Sequence, residues 1–100
     1  MNPDPFAISM RASAKAAQTA AGYDNDQFDR FKVITAETAK QFVEKNPGAT
    51  SWRSIGANVR ERLRNEVNAA MAEEEIPNIA QDVFKWRMDQ AIRNAVKAGK

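Results

Sequence analysis

Apolar residues recur every three or four positions along most of the chain, which is the spacing of one face of an α-helix. The pattern predicts a single all-α domain spanning residues 1–100, a small bundle of four helices with short connections. The predicted helices cover residues 5–21, 25–45, 51–75 and 79–98. The β-branched run around Ile34 leaves open a break in the second helix, which would make five helices.

Helix-end signals support these bounds. Each predicted helix follows a residue that favours N-caps: Asp4, Asp24, Thr50 or Ser51, and Asn78. Asp24 and Asn78 are each followed three residues later by glutamine, as in a capping box. Gly22 stands where a glycine commonly ends a helix, after Ala21.

Trp52 and Trp86 lie on apolar stripes and are expected in the core. Gly56, inside the third predicted helix, weakens that helix relative to alanine. We therefore interpret Gly56 as a point where another helix, such as the alanine-rich first one, crosses closely.

The last predicted helix is apolar on two sides. One side carries Ile79, Val83 and Trp86. The opposite side carries Phe84, Met88, Ala91, Ile92 and Ala95. Two interpretations remain open: a central helix covered by its own fold, or a helix that presents one side to another chain. The second makes a set of residues interface candidates: Phe84, Arg87, Met88, Ile92, Arg93 and Ala95.

The third predicted helix is rich in arginine and follows a short turn at residues 46–49, which is the outline of a helix-turn-helix. Arginine and asparagine read guanine and adenine edges, so a DNA-reading face can be drawn. Its candidate residues are Arg53, Asn58, Arg60 and Arg64. The alternative is a solvated flank, in which the arginine stems cover the core and the charges stay in water. Glu61 and the later Glu73 to Glu75 would repel phosphate.

Composition narrows the chemistry. The chain has no histidine and no cysteine, which removes disulfides, thiolate nucleophiles, zinc fingers and the usual general base. The acids at Asp24, Asp26 and Asp29 lack the glycine and distal glutamate of a calcium loop. No remaining carboxylate, lysine or serine arrangement replaces the missing groups. We therefore expect a protein that is not an enzyme and has no catalytic residue, metal or cofactor.

Charge and hydropathy complete the expectation. The net charge of +2 produces only a weak electric field, and the excess positive charge lies in the arginine cluster of the third helix. No apolar run approaches a membrane span, and the lack of cysteine favours an intracellular, cytoplasmic location, with the nucleus as the alternative. The predicted function is a protein–protein interaction module, such as an adaptor, inhibitor or assembly domain, with self-association included. The alternative is a helix-turn-helix-like module that binds DNA.

Overall fold

The computed structural model describes residues 12–98, and in this range the chain forms four α-helices and no β-strand. The helices are α1 (Ala14–Ala21), α2 (Asn25–Lys45), α3 (Ala57–Glu73) and α4 (Gln81–Ala98). A 3₁₀ turn, Trp52–Ser54, lies between α2 and α3. The predicted all-α bundle is confirmed. No helix within residues 12–98 is long and apolar enough to cross a membrane.

The first helix is shorter than predicted. Ser13 has an extended backbone, and its Oγ accepts a hydrogen bond from the Ala16 N–H at 3.1 Å. Ser13 is therefore an N-cap, and the prediction of one unbroken helix from Pro5 to Ala21 is wrong. The predicted cap at Asp4 lies outside the described residues. Gly22 ends α1 as predicted, with a left-handed φ of 72° that favours glycine.

The second helix has the predicted bounds and no break. Asp24 and Gln27 form the predicted capping box, with bonds of 2.8 and 3.0 Å. At the β-branched run, the Thr35 hydroxyl donates to the carbonyl of Phe31 at 2.7 Å, within the helix. Thr35 is thus accommodated inside α2 and does not cap a new helix.

The third predicted helix, 51–75, is two elements. Ser51 caps the 3₁₀ turn through a bond from the Ser54 N–H, and the backbone at Ile55 and Gly56 is extended before α3 begins at Ala57. Gly56 is therefore the N-cap of α3 and not an interior residue. A Cβ placed on Gly56 would meet no atom within 4 Å, so the predicted close helix crossing there is wrong.

The fourth helix begins two residues later than predicted. The chain from Ile76 to Ala80 is not helical, and α4 starts at Gln81. Ile79 is buried, and its N–H donates to Asn68 Oδ1 of α3 at 3.0 Å. This tertiary bond holds Ile79 outside the helix, so the predicted cap at Asn78 is wrong.

The last helix is the centre of the fold. It packs against α2, α1 and the 3₁₀ turn, and both of its apolar sides are buried. On one side the Trp86 indole N–H donates to the carbonyl of Ala12 at 2.9 Å. On the other, Phe84 meets the Trp52 ring edge-on with centroids 5.5 Å apart. Both tryptophans lie in the core, as predicted.

Candidate functional site

Three of the six predicted interface residues belong to the core. Phe84, Met88 and Ile92 are each at most 1% exposed. All three belong to the hydrophobic core, and Phe84 contacts Trp52 of the 3₁₀ turn, so this fold does not offer them to a protein partner. The prediction that these three form an exposed contact surface is wrong, because the chain itself covers the second apolar side of α4.

The other three predicted interface residues remain accessible in part. Arg93 is exposed and pairs with Asp89 of the preceding turn, with Nη2 3.0 Å from Oδ2. Arg87 and Ala95 are half-buried, and both line a groove between α2 and α4. Of the predicted interface residues, Arg87 and Ala95 are therefore the two that a partner could contact in this groove.

The α2–α4 groove has a volume of about 690 Å³, which lies in the range of binding pockets. It is partly open, and its lining is mainly apolar and rich in small side chains. The lining residues are Ala36, Lys40, Val43 and Glu44 from α2, Pro47, Ala49 and Thr50 from the following loop, and Arg87, Ala91, Asn94, Ala95, Val96 and Ala98 from α4. The small residues leave space between the two helices that no side chain of the described range fills.

Arg87 is the main polar group of the groove. Its Nε donates to Thr35 Oγ1 at 2.8 Å, and its Nη2 donates to the Lys32 carbonyl at 2.9 Å. Burial lowers the pKa of Arg87, since the protein disfavours its charged form. Among the ion pairs of residues 12–98 none involves Arg87. A guanidinium has five N–H donors, so Arg87 has donors left for a ligand in the groove.

The four predicted DNA-reading residues do not form one face. Arg53 is exposed in the 3₁₀ turn, and Asn58 is exposed on α3. Arg60 and Arg64 are half-buried and line a second pocket, between α3 and the start of α4. Residues two apart on a helix point to different sides, so Asn58 and Arg60 diverge. The prediction that these four residues form one DNA-reading surface is therefore wrong.

We call this second cavity the cationic pocket. Its volume is about 460 Å³. It is lined by Trp52, Ala57, Arg60, Glu61, Arg64, Gln81, Phe84 and Lys85. Three of these residues are cationic and one is acidic, so the pocket favours an anion.

The acidic residues of the described range form no metal-binding cluster. In the described part of the chain, no group of three or more histidine, cysteine, aspartate or glutamate side chains could hold a metal ion. Glu74, from the triple glutamate, accepts two bonds from the Arg30 guanidinium at 2.7 and 2.8 Å. These bonds lower the pKa of Glu74 and join the end of α3 to α2.

The predicted site residues make up a minority of each cavity's lining: Arg87 and Ala95 in the groove, and Arg60, Arg64 and Phe84 in the cationic pocket. The α2 wall of the groove, including Ala36 and Val43, carried no signal because these are ordinary helix residues. In the cationic pocket, Gln81 was predicted only as a capping-box partner of Asn78, and Lys85 carried no signal because it is a single charged residue on a helix surface. The one pattern in the sequence that could have indicated the groove is the pair of small residues at i and i+4 on α4, Ala91 and Ala95.

No protein-family model matches the chain, and neither a curated protein nor a solved structure is similar to it. Its function therefore has to be inferred from the groove and the pocket.

Proposed function

We propose that this protein is a non-catalytic protein-binding module whose α2–α4 groove takes an amphipathic helix of a partner protein. One observation carries the proposal: a mainly apolar groove contains a half-buried arginine that has no carboxylate partner within residues 12–98. A partner helix with apolar side chains and one carboxylate would fill the space and pair with Arg87.

The dimensions support a helix as the occupant. On α4 the groove extends from Arg87 to Ala98, about 16 Å, because a helix rises ~1.5 Å per residue. That length corresponds to about three helical turns. A bound helix would place apolar side chains at i, i+4 and i+7 against the small residues of the wall.

The charges of the lining favour an acidic partner. Lys40 and Arg87 are cationic and Glu44 is the one acidic lining residue. Arg87 is held in place by Thr35 and by the Lys32 carbonyl, so its free donors are fixed before a partner arrives. A preordered arginine loses less conformational freedom on binding, and this favours a carboxylate placed opposite it.

A selection from a displayed library of random peptides of about four helical turns tests the proposal. The immobilised full chain is expected to enrich peptides with apolar residues at helical spacing and an acidic residue among them. Ala36 is exposed and lines the groove, so Ala36→Trp should fill the groove and abolish binding of the enriched peptides. Ala69→Trp is the matched control, because Ala69 is an exposed alanine of α3 outside the groove.

Two results would overturn the proposal. One is an absence of enrichment, or enriched peptides that bind equally to wild type and Ala36→Trp. The other is a dimer in sedimentation at tens of micromolar that Ala36→Trp converts to a monomer and Ala69→Trp does not. That outcome would assign the groove to a second copy of this chain.

A further inference from the structure

Three buried side-chain donors have no hydrogen-bond acceptor within the described part of the chain. They are Trp52 Nε1, Arg60 Nε and Arg64 Nε. All three belong to residues that line the cationic pocket. A buried donor without an acceptor is destabilising, because it gives up its hydrogen bonds to water and gains none in return. Their concentration around one cavity indicates that an acceptor belongs inside it.

The charges around the pocket point to an anionic acceptor. Arg60, Arg64 and Lys85 form no ion pair within residues 12–98, and Arg64 makes one long hydrogen bond, 3.5 Å from Nη2 to the Ile79 carbonyl. The acidic lining residue Glu61 is not within ion-pair distance of these cations. The pocket therefore holds three cations and one carboxylate that does not neutralise them.

The helix that borders the pocket adds to this field. Gln81 is the first residue of α4, so the positive end of the helix dipole lies at the pocket wall. Asp82, in the same first turn, does not line the pocket. Trp52 is only 3% exposed, so bulk water does not reach its indole N–H, which is one of the three donors without an acceptor.

We propose that the cationic pocket binds the doubly charged phosphoryl group of a small molecule, as free phosphate or as a phosphate monoester. Two arginines suit tetrahedral oxyanions because a guanidinium can make two parallel hydrogen bonds to them. The volume of about 460 Å³ accommodates a small molecule. Arg60 and Arg64 are half-buried between α3 and α4, a recess that suits a small ligand better than the backbone of duplex DNA.

The two tryptophan indoles provide a direct assay on the full-length chain. In ¹H–¹⁵N correlation spectra, inorganic phosphate is expected to shift the Trp52 indole signal in a saturable way. The Trp86 indole is the internal control, because it donates to the Ala12 carbonyl and lies outside the pocket. Sodium chloride at equal ionic strength separates binding from screening. Glycerol phosphate, in a parallel titration, distinguishes a monoester ligand from free phosphate by its affinity.

Charge-matched variants locate the site. Arg60→Gln and Arg64→Gln should each weaken phosphate binding by about tenfold or more, the loss expected for a hydrogen bond to a charged group. Arg62→Gln removes the same charge from the same helix, but Arg62 is exposed and lies outside the pocket, so binding should be unchanged. Thermal melts of each variant verify that the fold is intact.

Three results would overturn the proposal. The first is a Trp52 signal that chloride moves as much as phosphate does. The second is a phosphate affinity that Arg62→Gln lowers as much as Arg60→Gln. The third is binding of a short DNA duplex through Arg60 and Arg64 in the absence of any phosphate binding, which would assign the pocket to nucleic acid.

Discussion

Replacing Thr35 with valine should remove one of the two hydrogen bonds that hold the groove arginine, Arg87. Thr35 is fully buried, and its hydroxyl accepts a bond from Arg87 Nε at 2.8 Å while donating to the Phe31 carbonyl at 2.7 Å. Valine keeps the shape of threonine and removes both bonds. The change therefore probes the polar contact with little change in packing.

The expected loss of stability follows from the two bonds. The Phe31 carbonyl keeps its helical partner in α2, so the loss on that side is small. On the other side a charged donor loses its acceptor, which costs about 1.5–3 kcal/mol. Water reaches part of the half-buried Arg87 side chain, so we expect the lower end, about 1.5 kcal/mol. For a chain of this size that lowers Tm by on the order of 6–12 °C.

A double-mutant cycle measured by urea unfolding isolates the contact. Arg87→Met removes the guanidinium, and in that background Thr35→Val should cost almost nothing. Thr38→Val is the matched control for threonine-to-valine replacement in α2, because Thr38 is only half-buried and is not hydrogen-bonded to Arg87. If Thr35→Val costs the same with and without Arg87, the contact does not contribute to stability and the reasoning fails.

One pH titration and two substitutions test the local structure. Burial raises the pKa of Tyr23, the single tyrosine, to about 12. The unfolded value is about 10, so stability should be complete below pH ~10 and fall as the pH rises toward 12, with tyrosinate absorbance showing the later transition in the folded protein. Glu75 has a φ of 61°, so Glu75→Gly should stabilise by about 1 kcal/mol in thermal melts, whereas Glu73→Gly, at the last residue of α3, should not stabilise; equal effects would contradict the left-handed backbone. Gly56→Ser should stabilise by about 0.5–1 kcal/mol, because Gly56 caps α3 without a side-chain bond and its φ of −63° suits serine; a lower Tm would contradict this capping geometry.

Features that depend on neighbouring residues in the chain could be predicted from the sequence. The capping box at Asp24 and the left-handed Gly22 are local devices, and both are present. The helical period also placed Trp52 and Trp86 in the core, where both are 3% exposed. These predictions succeeded because each local structure is formed by the same few neighbouring residues whose types predict it.

The break before α3 was missed for a physical reason. In a 3₁₀ turn residues at i and i+3 lie on the same side, so Trp52 and Ile55 both face the core just as they would in an α-helix. The apolar stripe is continuous through Ile55 although the chain bends there. Periodicity therefore could not distinguish the 3₁₀ turn and bend from one long helix.

The sites depend on contacts that no local pattern records. Thr35 and Arg87 are 52 residues apart, and their bond exists only because α4 packs on α2 in one register. A shift of α4 by one residue would point Arg87 elsewhere and leave the hydroxyl of Thr35 without its donor. Because buried polar groups need partners, this bond favours the observed register over its neighbours. The same register sets Ala91 and Ala95 opposite Ala36 and opens the groove between them. The contact that stabilises the packing is thus also the one that positions the proposed binding surface.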